Sequence, residues 1–333
     1  MKRFRFPFTP YPDGIFAVLF SHELKLKQVL SVIFMNQKLV LFRTETGEVG
    51  AVDGFCPHLG ADLAFGSVKK DALQCPFHGM RFKTDGTCAT KNRDNEIGKY
   101  QLKHWGVFEK YGLIFLTHNP TLRDLHLTFP EWNFAEWGKP IQYQFKIKSH
   151  PQEILENSVD QLHFFQVHKY LSAKTIEPIN IFGHEFIINY RLERKGGIFG
   201  EKKKIKLYLN IHAYGLGMSH ATISIPQYNM QLKQIVFPTP IDGEFIHIRS
   251  LTSVKIIEKI AFLPRGLTPY FLRKQIANFL TRLASRQFLK DFIPDLEIWE
   301  NKKYVERPEY HSQDGEFEKY RAWARQFYRD DIK

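Results

Sequence analysis

The sequence predicts an α+β protein built as an all-β domain over residues 1–118 followed by a mixed domain over 119–333. Three observations carry this reading. Short alternating runs broken by turn residues fill the first third. Asn119-Pro120 then marks a boundary, because the step into proline disfavours a continuing helix. Beyond it, strand-like runs give way to two helical patterns near the C-terminus.

Lys38–Arg43 and Glu48–Val52 read as strands around a turn containing Gly47, and Met80–Lys83 and Thr87-Cys88 flank Asp85-Gly86, a strong hairpin signal. Residues 152–171 contain neither Gly nor Pro and predict one helix. Glu185–Tyr190, Ile205–Asn210 and Glu244–Ile248 predict strands. Arg191–Lys195 and Lys202–Lys206 flank Gly196-Gly197 and read as the arms of a solvated hairpin. Thr268 is suited to cap a helix with Pro269 at its first position, the pattern running to about Tyr304. A last helix, about Glu316–Arg329, places Tyr320, Trp323 and Phe327 on one face.

A length of 333 residues suggests about two domains. With 43% apolar and 25% charged residues the chain is not a disordered one. The longest apolar run, Val29–Met35, is too short to cross a bilayer, and Pro7 and Pro10 stand where a signal peptide needs apolar residues. A soluble cytoplasmic protein without a transmembrane segment is expected. The net charge of +12 is scattered and no nucleic-acid-binding module is visible, so nucleic acid is not expected as a partner. Aromatic residues make up 15%, enough to wall a core or a bulky apolar ligand; Phe164 and Phe165 are open to either role.

Only three cysteines occur, too few for a disulfide framework. Two belong to a pattern: Cys56-Pro-His58-Leu-Gly, then Cys75-Pro-Phe-His78-Gly. Two thiolates and two imidazoles suit a structural zinc, although zinc sites rarely use a one-residue ligand spacing. They also suit a [2Fe–2S] cluster whose irons take two Cys and two His respectively, which raises its potential above that of an all-Cys cluster. Residue types, order and spacing together resemble the Rieske motif: Cys56, His58, Cys75 and His78. Cys88 lies outside it and reads as a small buried strand residue.

A cluster alone would serve an electron carrier. A second constellation argues for an enzyme: Asn157, Asp160, His163 and His168 within one segment. Asp160 and His163 are helical neighbours at i and i+3, whereas His168, five residues after His163, requires the helix to unwind. Two imidazoles and a carboxylate with open positions are what an O2-activating Fe(II) needs. On composition alone Asp291, Asp295, Glu297 and Glu300 are equal candidates for the carboxylate.

The whole pattern resembles the Rieske non-haem iron oxygenases over almost the entire chain. By that match Asp295, in Asp295-Leu-Glu-Ile-Trp-Glu300, is the third iron ligand, and Pro294 before it would kink the helix. Tyr11–Phe16 and Arg321–Tyr328 are similar to the branch containing 3-ketosteroid 9α-hydroxylase oxygenases and cholesterol 7-desaturases; aminopyrrolnitrin oxygenase is similar too. Met80 departs from the Trp often found after the second Cys-Pro-x-His-Gly, and the animal desaturases' N-terminal membrane segment is not seen. The resemblance implies a helix-grip (START-like) catalytic domain with an antiparallel sheet. It implies a Rieske [2Fe–2S] cluster, a mononuclear Fe(II), O2 as co-substrate and electrons from NAD(P)H through a reductase or ferredoxin. It implies hydroxylation or desaturation of a hydrophobic, steroid-like small molecule, with arylamine N-oxygenation or demethylation as alternatives. It also implies a homotrimer in which Asp160 links a cluster His of one subunit to an iron His of the next, with Asn157 facing the iron unbound.

Overall fold

The computed structural model describes residues 11–90, 99–119, 129–196, 203–257, 269–311 and 314–328. Pro120, Gly197, Lys202, Thr268 and Arg329, on which some expectations fell, lie outside the described residues. The chain forms two compact units, one of residues 10–124 with 239–243 and the other of 1–9, 125–238 and 244–333.

The first unit is all β. Strands β1 (Gly14–Phe20), β8 (Val107–Lys110) and β9 (Leu113–His118) make one antiparallel sheet, ordered β1-β9-β8. A second comprises β2 (Val29–Phe34), β3 (Gln37–Arg43) and β4 (Val49–Asp53), and a third β5 (Ser67–Lys69), β6 (Ala72–Gln74) and β7 (Arg81–Lys83). Strand β3 is buried on both faces: Leu39 and Leu41 enter one core with Phe16, Phe34 and Trp105, while Val40 and Phe42 enter another with Cys56, Cys75 and Phe82. Alternation along a strand makes this possible. The expected hairpin at Asp85-Gly86 is present, with Gly86 at φ 77° and Asp85 Oδ1 accepting from the Thr87 amide at 2.9 Å. Cys88 bridges Phe82 and is buried, as expected.

The second unit is a seven-stranded antiparallel sheet under helices. Its strands are β10 (Ile141–Lys148), β11 (Ser172–Phe182), β12 (Glu185–Gly196), β13 (Lys203–Tyr214), β14 (Met218–Ile225), β15 (Met230–Pro240) and β16 (Phe245–Val254), ordered β10-β16-β15-β14-β13-β12-β11. Alternate residues of β12 and β13, such as Phe186, Ile188, Tyr190, Leu207 and Leu209, bury one sheet face. The long helix α3 (Tyr270–Asn301) packs on β10 and β16. It turns Ala277, Thr281, Ser285, Phe292, Asp295 and Trp299 inward, a stripe at three- and four-residue spacing. Pro269 is its N-cap, one position later than expected, and α3 continues through Pro294 to Asn301. Helix α4 (Phe317–Ala324) and the 3-10 turn after it bury Tyr320, Trp323 and Phe327 against this core, as their spacing predicts.

Two expectations change. Residues 152–171 do not form one helix. Helix α1 (Pro151–Glu156) and a 3-10 turn (Asn157–Val159) end at Asp160, whose backbone is extended (φ −83°, ψ 97°), before helix α2 (Gln161–Gln166) begins. The Asp160 carboxylate accepts from the His163 amide at 3.0 Å, capping α2. That local bond competes with helix continuation. The β12–β13 ribbon pairs as expected up to Gly196 with Lys203, but Arg194 is not solvated: it is half-buried and bonded to Asp291 of α3 at 3.1 Å.

Candidate metal centres

Cys56 and Cys75 occupy two loops of the same build. In each, the cysteine amide donates to the carbonyl five residues on (Cys56 to Ala61, 2.8 Å; Cys75 to Met80, 2.7 Å). The glycine four residues on donates back to the cysteine carbonyl (Gly60, 2.9 Å; Gly79, 3.2 Å). Both glycines have left-handed backbones, φ 74° and 71°, which explains why glycine closes each motif. Within this common turn His58 and His78 come at the third and fourth positions, and their ring centroids are 4.9 Å apart. The thiols are buried while His78 is exposed and His58 half-buried. Burial pushes the Cys56 thiol up, and neighbouring Cys75 adds to it; a metal that takes the thiolates removes that penalty. His58 Nδ1 is buried without a partner among the described residues. Two inner sulfurs and two outer imidazoles therefore fit a cluster reachable from one side.

The second centre is assembled from α2, the turn after it and α3. His163 is in α2, which closes when the Val167 amide bonds to the His163 carbonyl at 2.9 Å. Lys169 then takes a left-handed backbone at φ 56°, so the chain unwinds around His168 as its spacing requires. His163 Nε2 and His168 Nε2 are 2.7 Å apart, and Asp295 approaches them at 3.1 and 3.6 Å. All three ligating atoms lie within 4.8 Å of one another. Burial pulls the His168 imidazole down despite nearby Asp295, keeping it in the neutral form that binds metals. Asp295 Oδ1 is buried, stands 3.1 Å from His163 Nε2 and has no hydrogen bond among the described residues. Two lone pairs and a carboxylate aimed at one point make a donor set that fits a divalent cation. Of the other candidate carboxylates, Asp291 is paired with Arg194, and Glu297 and Glu300 are exposed.

Asn157 Nδ2 lies 3.0 Å from His163 Nε2, on the same side as the converging ligands. Asp160 uses Oδ1 for the α2 cap, and its other oxygen has no partner among the described residues. Burial raises its carboxyl above the usual range. Phe164 is core, its ring 5.1 Å from that of Tyr190, and Phe165 packs against the same core.

A cavity of about 440 Å³ lies between the sheet and α3. Aliphatic and aromatic side chains such as Leu207, Ile223, Leu280 and Phe288 line it. Tyr170, also in its wall, has its ring 6.4 Å from that of His168. Asp291, one turn before Asp295, lines it too, so one end of the cavity lies near His168 and Asp295.

Two protein families match the chain. The Rieske [2Fe-2S] domain matches residues 14–101, and the 3-Ketosteroid 9alpha-hydroxylase C-terminal domain matches 118–328. The chain belongs to the Rieske non-haem iron oxygenases. Cholesterol 7-desaturase nvd of Bombyx mori is 28% identical, covering 96% of this chain and 70% of the relative. The oxygenase component of 3-ketosteroid-9-alpha-monooxygenase from Mycolicibacterium smegmatis is 27% identical, covering 90% and 78%. Dicamba monooxygenase bound to dicamba shares the fold at 16% identity, with a TM-score of 0.67 over 95% of this chain and 96% of that one. This oxygenase is thus an O2-dependent oxidoreductase that uses a [2Fe–2S] cluster and non-haem iron and draws electrons from a reductase partner. Among the described residues no helix is long and apolar enough to cross a membrane.

Sequence reasoning missed several parts of the site. The segment before α4 presses on the Asp160 turn so closely that a Cβ on Gly315 would meet the Val159 carbonyl oxygen at 1.5 Å. Only the Asp-Gly-Glu string hints at this turn. Arg194, read as solvated, instead stacks on Tyr170 (5.2 Å) and pairs with Asp291 in the cavity wall.

Proposed function

We propose that this oxygenase hydroxylates or desaturates a hydrophobic, polycyclic substrate of steroid-like size, bound in the cavity between the sheet and α3. The observation that carries this is the largely apolar cavity of about 440 Å³ whose wall includes Tyr170, its ring 6.4 Å from that of His168, and Asp291, one helical turn before Asp295. The named activities of the sequence relatives act on sterols and ketosteroids, whereas the dicamba-bound neighbour shares only the fold.

In this reading Cys56, His58, Cys75 and His78, within a domain of residues 1–118, hold the cluster. His163, His168 and Asp295, within a domain of 119–333, hold Fe(II). The bound metals supply O2 activation and the electrons for it. The chain's own residues do the rest. The imidazoles of His163 and His168 and the Asp295 carboxylate would hold the metal and leave positions open for O2 and substrate. Asn157 faces the iron without binding it. The cavity's aliphatic walls exclude water and hold the substrate beside the metal.

We further infer a homotrimer in which Asp160, capping α2 with one oxygen, offers the other to a cluster histidine of the next subunit. A carboxylate accepts from two sides and orients imidazoles, so this role suits its chemistry. Exposed Phe55, Leu59, Phe65 and Phe77 surround the cluster loops and give that edge an apolar rim for a neighbour. The electron source is an NAD(P)H-linked reductase or ferredoxin. Three free cysteines suit a reducing, cytoplasmic setting.

The test is turnover with a surrogate reductase, read by product mass, on sterols, ketosteroids, arylamines and methylated aromatics. A product 16 mass units heavier, or 2 lighter, from a polycycle is expected (about one oxygen gained or two hydrogens lost). Turnover confined to arylamines or methyl aromatics would overturn the substrate reading.

A further inference from the structure

Gln234 of β15 and Thr252 of β16 form a polar pair in the sheet wall of the cavity, which also carries Arg194, Lys195 and Lys233. Gln234 and Thr252 are 8% and 2% exposed. The Thr252 hydroxyl donates to Gln234 Oε1, which leaves the amide nitrogen as the open end of the pair. Gln234 Nε2 has no hydrogen-bond partner among the described residues. Among the other polar groups of the wall, Arg194, Asp291 and Gln287 satisfy one another, and Lys233 lies over the Trp132 and Trp137 rings. A buried donor left unpaired is destabilising, and an apolar pair of the same shape would avoid that cost. An unmet donor in a largely apolar wall is what a site needs to orient a largely apolar ligand through one polar atom.

Resting on the reading of this cavity as the substrate site, we propose that Gln234 anchors the substrate. Its Nε2 donates to a ketone or hydroxyl oxygen at the end of a polycyclic molecule remote from the carbon that reacts. Thr252 holds the amide in the orientation that presents the donor.

The position of the pair sets the distance. The Val254 amide, two residues beyond Thr252 on β16, donates to Thr281 of α3 at 3.0 Å. Asp295 is fourteen residues further along that helix. At 1.5 Å rise per residue the anchor is therefore roughly 15–20 Å from Asp295 along the helix axis. A hydrogen bond takes about 3 Å of this and a reacting contact a similar length. What remains, about 10 Å or slightly more, is several fused rings long. A single aromatic ring does not reach both ends.

The experiment is equilibrium binding to the iron-loaded enzyme, without O2 or reductase, read by tryptophan fluorescence and calorimetry. The ligands are a tetracyclic ketone, the matching alcohol and the hydrocarbon lacking that oxygen. The enzyme should bind ketone and alcohol about 10-fold or more tighter than the hydrocarbon. Gln234→Leu, of similar volume, should bring all three within about 3-fold while the hydrocarbon binds no more weakly than before. Gln234→Met should do the same and serves if the leucine variant folds poorly. Equal binding of ketone and hydrocarbon by the unaltered enzyme overturns the anchor. Equal weakening of all three ligands in both variants also overturns it, since Gln234 would then only line the wall. If no polycycle binds, the substrate reading itself falls and the anchor with it.

Discussion

Replacing Gly315 with alanine should dislodge the metal-ligand segment without touching the cluster. The added Cβ would lie 1.5 Å from the Val159 carbonyl oxygen, 2.7 Å from its carbon and 3.5 Å from the Gln161 amide. Ordinary contact needs about 3.5 Å, so one backbone must retreat by about 2 Å. Both neighbours are backbone and neither is a flexible side-chain tip. The retreat strains the Asp160 turn, whose carboxylate caps α2 through the His163 amide at 3.0 Å. Losing such a cap costs about 1 kcal/mol, and overpacking typically adds 1–3 kcal/mol. Displacing His163 by even about 1 Å can cost some 100-fold in turnover. The expected result is a melting transition lowered by roughly 5–10 °C for the catalytic unit. Mononuclear iron should be partly lost and the cluster spectrum unchanged. Calorimetry with iron analysis measures both. Gly183→Ala is the control: it has a left-handed φ of 54° but nothing within 4 Å, so it should lose about 1 kcal/mol and keep its iron. Parent-like melting and iron content in Gly315→Ala would show that this contact does not hold the Asp160 turn in place.

Asp160→Asn should keep the α2 cap, because Asn caps as well as Asp, whereas Asp160→Ala should lose about 1 kcal/mol. If Asp160 also links the centres, the Asn variant reoxidises its reduced cluster at least about 10-fold more slowly with both metals in place; an unchanged stopped-flow rate refutes the link. His58→Cys or His78→Cys should lower the cluster potential or lose the cluster, measured by redox titration, since a thiolate adds charge. Burial pushes the His220 and His247 imidazoles down to about 4. Between that value and about 6.5 the unfolded chain binds more protons, so stability is full above about pH 6.5 and falls as pH drops toward 4. His220→Leu should flatten this slope in denaturant titrations, and an unaltered slope would show that His220 does not contribute.

What was legible in the sequence depended on how local each feature is. The cluster loops are turns of five residues whose glycines and ligands all appear in order, so spacing alone exposes them. His163 and His168 share one segment, and their separation correctly demands an unwound turn. The break at Asp160 was hidden because a capping aspartate and a mid-helix aspartate look alike until the His163 amide is seen bonded to it. Asp295 could be told from Asp291 only by resemblance, since the choice depends on which helical turn faces α2. The inward stripe of α3 includes Thr281, Ser285 and Asp295, so its hydrophobic pattern is weak. Gln234 gave no signal and Gly315 only the turn hinted at by Asp-Gly-Glu, because one matters through an unpaired atom and the other through a backbone 156 residues earlier.

Iron analysis of the unaltered enzyme beside Asp295→Ala tests the central claim most directly. About three irons per chain are expected for the former, two in the cluster and one held by His163, His168 and Asp295. About two are expected for the variant, with its cluster spectrum retained. Equal iron in both proteins, or zinc in place of the cluster, would contradict that claim.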